Sequence, residues 1–183
     1  MGLIGHNGGP SLDGGRSWRT HCWRAARHAL LPTLPIEVVR GRVRRAADLG
    51  LDYRTYASVR AQTGHDVVAF LFSSNALRAT MVQPAAPADV AVKLAGVRAE
   101  RLGLAVAPLS VPALALANPA LDDCHPAPFA LARWSEARDR IRAALGRLPR
   151  DGVILVGAHG LEADWCAAGR LAGYLPAERY FGA

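Results

Sequence analysis

The sequence predicts an α/β protein, with an N-terminal set of helices that includes a helix-turn-helix-like pair, followed by a small three-stranded parallel sheet flanked by helices. Three apolar runs of strand length carry the sheet: VVAFLF at 67–72, LAVA at 104–107 and VILV at 153–156. The first is continuously apolar over six residues, the pattern of a strand buried on both faces. Segments of helical spacing follow each run, and strand-helix alternation of this kind closes into a parallel sheet through right-handed crossovers.

Along the chain, residues 1–16 are rich in Gly and have no apolar period, so they read as a flexible lead. A basic helical region is expected over 17–64. Ser17 or Thr20 can cap a helix carrying Trp18, Cys22, Trp23, Ala26 and Leu30 near one face, which Pro32 stops. Pro35 suits the first turn of the next helix, with Glu37 near its positive end. Ile36, Val39, Val43 and Ala46 or Ala47 define its expected buried face. Gly50 ends it, Asp52 can cap a further helix from Tyr53 to about Gln62, and Gly64 ends that one.

Residues 65–183 are then expected as a small α/β domain. Its helices are read at Ala88–Leu102, from Phe129 or Ala130 to Leu148, and at Glu162–Ala172. The tail GYLPAERYFGA is expected to lay its aromatics on the core.

Half of the 183 residues are apolar (51%), enough for a sizeable core and against global disorder. The net charge of +7 is uneven: residues 1–80 hold 11 Arg against 5 acids, and residues 81–183 hold 11 Lys or Arg against 10 acids. Such asymmetry points the N-terminal part at an anion. Arginine outnumbers lysine 21 to 1, so coding bias accounts for part of the arginine but not for the shortage of acids. Cys22, Cys124 and Cys166 lie far apart with no CxxC spacing, so a disulfide framework, a zinc knuckle and a bound metal are not expected. The uncharged stretch at 104–121 is broken by Pro108, Pro112 and Pro119, which argues against a membrane span. No basic n-region with an apolar run opens the chain, and the expectation is a soluble, cytoplasmic bacterial protein.

The string IGHNGGPSLD, residues 4–13, resembles a short N-terminal peptide of uncharacterised and phage-associated proteins of alphaproteobacteria. The resemblance covers those residues only and implies a lineage, not an activity.

Two constellations can carry function. Residues 43–64 resemble a helix-turn-helix: Ala46, Gly50, Leu51 and Val59 fall where that motif wants a small residue, a turn glycine and two buried apolar groups. On this reading Arg40, Arg42, Arg44, Arg45, Arg54 and Arg60 meet phosphates, while Thr55, Ser58 and Gln62 read base edges, giving a nucleic-acid-associated or regulatory protein that binds DNA or RNA. Arg45 sits uneasily, since the motif usually buries that position. The alternative is two helices packed beside the sheet with a solvated arginine face.

The second constellation follows from topology, because ligands of parallel sheets sit beyond the carboxyl ends of the strands. Ser73, Ser74 and Asn75 follow the first strand, and Gly157, His159 and Gly160 follow the third. A serine beside His159, oriented by Asp164, Asp122 or Asp123, would make a nucleophile and base, and the Gly157 and Gly160 amides would cradle a phosphate in a small enzyme or ligand-binding domain. No GxSxG, Walker or dinucleotide motif surrounds them, so no cofactor is expected, and turn capping explains the same residues. Asp122, Asp123, Cys124 and His125 have metal-compatible chemistry, but consecutive positions rarely point at one ion. A third reading is a protein-interaction or phage-assembly adaptor that uses the Trp18/Trp23 helix.

Overall fold

The computed structural model describes residues 34–182. They contain seven α-helices and a five-stranded, all-parallel sheet. In chain order these are α1 (Ile36–Asp48), α2 (Tyr53–Thr63), β1 (Ala69–Ser73), α3 (Ala88–Gly96), β2 (Glu100–Ala105), α4 (Val111–Ala117), β3 (Asp123–Pro126), α5 (Trp134–Leu145), β4 (Val153–Gly157), α6 (Gly160–Gly169), β5 (Gly173–Pro176) and α7 (Ala177–Phe181). From Arg40 onward the described residues form one compact unit, and the first residues of α1 fall outside it. Residue 64 lies within that unit.

The α/β class holds, but the sheet has five strands rather than three, in the order β3-β2-β1-β4-β5. The two unforeseen strands are the edges. Each has four residues, DCHP and GYLP, and neither is buried along its whole length. Short edge strands carrying proline and polar residues are how sheets blunt their open sides, and they leave no apolar run to read. The other boundaries moved as well. Strand β2 begins at Glu100 because its first two residues lie toward solvent and imitate the end of a helix. The helix expected to run to Ala172 stops at Gly169, where Arg170 adopts a left-handed φ of 54°.

Central strands β1 and β4 are buried throughout. Their alternate side chains feed two cores, since successive residues of a strand face opposite ways. Phe70, Phe72, Ile154 and Val156 join residues of α1, α2, α3, α4 and α7 on one face. Ala69, Leu71, Val153 and Leu155 join α5 and α6 on the other. The N-terminal helices therefore belong to the sheet's own core: Ala46, Leu49, Tyr56 and Val59 are buried in it. Of the face expected on α1, Ala46 is buried while Ile36 and Val43 are exposed.

Local chemistry explains the α1–α2 corner. Gly50 takes φ 66°, a left-handed turn that glycine enters without steric cost. Asp52 then caps α2 by accepting from the Thr55 amide at 2.9 Å, and Gly64 closes that helix with φ 76°. The tail aromatics do lie on the core. Tyr180 is 1% exposed, its ring centroid 5.4 Å from Phe70, 5.6 Å from Phe72 and 5.0 Å from Phe181. Its hydroxyl donates to the Leu49 carbonyl at 3.0 Å, and the Lys93 ammonium donates to the Tyr180 carbonyl.

Candidate functional site

From β1 the chain winds outward through β2 and β3, then returns to place β4 on the other side of β1. The crossovers on either side of β1 thus diverge at the carboxyl ends of β1 and β4, the topological switch point where such folds hold ligands. Ser73, Ser74, Asn75 and His159 all lie there, as the strand order requires. What they surround is a residue that the sequence reading did not single out, Glu162, 2% exposed.

Glu162 is the third residue of α6, and its carboxylate turns back over the start of its own helix. Oε2 accepts from the Ala158 amide at 2.7 Å, the His159 amide at 3.3 Å and the Ser73 hydroxyl at 3.0 Å, while Oε1 accepts from Asn75 Nδ2 at 2.9 Å. These are charge-assisted bonds to a buried carboxylate, which also complements the positive end of α6. Gly157 makes room for it: a Cβ there would sit 2.5 Å from Glu162 Oε2 and 2.7 Å from the Tyr174 ring. The position where a phosphate would meet the turn amides is filled by the chain's own carboxylate.

This arrangement bears on the catalytic candidates. Ser73 is fully buried, its hydroxyl committed to Glu162 and accepting from the Ala76 amide at 3.0 Å. Ser74 is also buried and accepts from the Val106 amide at 3.1 Å, which ties the β1 turn to the end of β2. His159 is exposed, and its carbonyl accepts from the Tyr174 hydroxyl. Asp164 is exposed further along α6. The serines and His159 are brought to one end of the sheet, but the buried acceptor for Ser73 is Glu162. Gly160 stands in open space. Asn75 and Ala158 open onto a concavity of about 330 Å³, together with Arg78, Glu178 and Phe181. Arg78 is ion-paired with Asp89 at 2.8 Å.

Residues 122–125, expected as a loop, lead into and form most of β3, and their side chains are dispersed. Asp122 takes a bidentate pair of bonds from Arg101, at 2.7 and 3.0 Å, which holds its carboxyl below the ordinary range. Cys124 points into the core, where burial and then the Asp123 charge push its thiol up to about 11. His125 lies 3.3 Å from Asp123. Cys166 is buried on the opposite face of the sheet, among α5 and α6 side chains.

The basic candidates divide into two groups. Arg45 and Arg60 turn toward Asp66, at 3.0 and 3.7 Å. Asp66 also accepts from the Tyr56 hydroxyl at 2.8 Å, while Arg45 reaches the carbonyls of Val67 and Arg98 at 2.8 and 2.9 Å. Burial would raise the Asp66 pKa, but the bonds from Tyr56 and Arg45 and the Arg45 charge outweigh it and hold it below its ordinary value. Arg45 is thus the clamp joining α1 to the starts of β1 and β2, which explains why it does not fit a helix-turn-helix. Thr55 is buried as well: its hydroxyl donates to Asp52 at 2.5 Å and accepts from Arg179 at 2.6 Å. Arg45, Arg60 and Thr55 therefore each have a partner within the chain.

Arg54, Ser58 and Gln62 form the other group. They recur every fourth residue on the outward side of α2, and all three are exposed, as are Arg40 and Arg44 on α1, with Arg42 half-exposed. With Gly173, Tyr174 and Arg179, the α2 trio lines a concavity of about 540 Å³. The described lining contains two guanidinium groups and no carboxylate. Asp52 stands nearby, 3.9 Å from Arg179, with its oxygens occupied by Thr55. Trp18 and Trp23 lie outside the described residues. Among the described residues no helix is long and apolar enough to cross a membrane.

Comparison of the chain with protein-family models, curated proteins and solved structures found no match.

Proposed function

We propose that this chain is a nucleic-acid-associated or regulatory binding protein that takes an anionic macromolecule on the outer face of α2. One observation carries the reading: Arg54, Ser58 and Gln62 stand exposed one turn apart and open, with Arg179, on a concavity free of lining carboxylates. Guanidinium groups so placed suit phosphate recognition, and the neighbouring hydroxyl and amide supply the directional bonds. Arg42 and Arg44 add positive field from α1. The test is an anisotropy titration of the full chain against labelled DNA and RNA over a range of salt. Binding that weakens as salt rises, and weakens further in Arg54→Gln, supports the reading. Absence of salt-sensitive binding to either polymer removes it.

A second reading, a small-ligand domain or enzyme acting at the strand ends, is supported by the concavity beside Asn75 and Ala158, where Arg78, Glu178 and Phe181 offer charge of both signs next to an apolar ring. Its size is within the roughly 300–1,000 Å³ of ligand sites. Thermal-shift screening with small zwitterions and nucleotides addresses it. Stabilisation by such a ligand that survives Asn75→Ala and Arg78→Ala would place binding elsewhere and end this reading.

A further inference from the structure

We infer that the anionic partner of the α2 face is a single-stranded nucleic acid; the inference rests on the proposal that this face binds an anion. A helix that reads a duplex must project, because it enters a major groove about 12 Å wide. On its outer side α2 is flanked by residues of β5 and α7, which share the lining of one concavity with it. Its Val59 side faces Gly173 at the sheet edge, and Arg179 of α7 reaches across to Thr55. Arg54 and Arg179 consequently line a recess of about 540 Å³ rather than a ridge. That volume suits nucleotide units of a strand, whose phosphates, sugars and base edges are all accessible when unpaired. Ser58 and Gln62 are the donors and acceptors available to those edges.

The charge count points the same way. A protein that makes about six to ten phosphate contacts on a duplex needs a wide cationic footprint, and two of the arginines such a footprint would enlist, Arg45 and Arg60, are turned to Asp66. Two cations in the recess correspond to a salt slope of about −0.7 for each phosphate on a single strand.

The experiment uses the full chain and three probes of equal length at one salt concentration: labelled oligothymidylate, its duplex with oligoadenylate, and a polyglutamate peptide as competitor. The expected result is at least about tenfold tighter binding of the single strand than of the duplex. Arg54→Gln should reduce the slope of log K against log salt by about 0.7, and Ser58→Glu should weaken single-strand binding further. Both positions are exposed, and circular dichroism with urea unfolding checks that each variant is folded. Equal or tighter duplex binding overturns the inference and leaves the anion-binding reading standing. So does displacement by polyglutamate at matched charge, which would make the partner an acidic polypeptide. Single-strand binding that neither variant alters also overturns it, by placing the site elsewhere. If no probe binds, both the inference and the reading beneath it fail.

Discussion

Replacing Glu162 with alanine should be among the most costly single changes in this domain. The substitution removes the acceptor for the Ser73 hydroxyl, the Asn75 amide and two backbone amides. Leaving a buried donor unsatisfied costs about 1–3 kcal/mol. Ser73 is fully buried and bears that cost in full; Asn75 is half-buried and bears part, whereas Ala158 and His159 are exposed and water can reach their amides. Loss of a carboxylate at a helix N-terminus adds roughly 0.3–1 kcal/mol. The sum is about 2–5 kcal/mol, which in a domain of this size lowers Tm by about 4–20 °C. Glu162→Gln keeps the shape and one oxygen acceptor, so about 1–2 kcal/mol is expected. Urea unfolding followed by tryptophan fluorescence and circular dichroism measures both, with the m-value required to stay constant. An alanine variant within about 1 kcal/mol of the parent would refute the assignment of Glu162 as the pin of the β1–β4 junction.

Three further outcomes are expected. Tyr180→Ala should cost about 3–5 kcal/mol through the lost ring contacts and Tyr180→Phe about 1 kcal/mol through the lost bond to Leu49, both read by the same unfolding assay. Asp66 is held below its ordinary value of 3.8, so its contribution is fully present above about pH 4 and lost as pH falls through the lower folded value; the stability gap between the parent and Asp66→Asn should therefore narrow below pH 4 in acid titrations monitored by circular dichroism, and a gap that widens there would contradict the Arg45–Asp66 assignment. Cys124 and Cys166, both buried and pushed up to about 11 mainly by that burial, should resist iodoacetamide at pH 7.5 in the native protein and react once it is unfolded, as peptide mass mapping reports.

The parts of the fold legible in the sequence were those whose burial is symmetric. Strands β1 and β4 face core on both sides, so every residue is apolar or small and the run announces itself. Strands β3 and β5 have one neighbour each and carry Asp, His, Pro and Gly, a composition shared with loops. The site divided along the same line. Topology alone directs attention to Ser73, Asn75 and His159, because strand ends are fixed once strands are known. Glu162 was missed since α6 begins two residues earlier than its apolar pattern shows, which makes Glu162 the third helical residue and able to reach back over the turn. The Arg45 misfit was visible as a charge in a position meant to be buried, yet its partner Asp66 lies 21 residues away in sequence and only packing brings the two together. The outward stripe of α2 needed nothing beyond helical spacing.

The Tyr180 hydroxyl bonds the carbonyl of Leu49 across 131 residues of sequence, and its ring rests on β1. A growing chain that has released the first strand into solvent still lacks the ring that covers Phe70 and Phe72. That part of their cover is missing until synthesis has passed residue 180. Contacts this distant in sequence slow folding because loop closure must precede their reward. The vulnerable interval thus lasts until β5 and α7 are translated, and truncations that remove α7 should behave in the cell as aggregating nascent chains rather than as shorter folded ones.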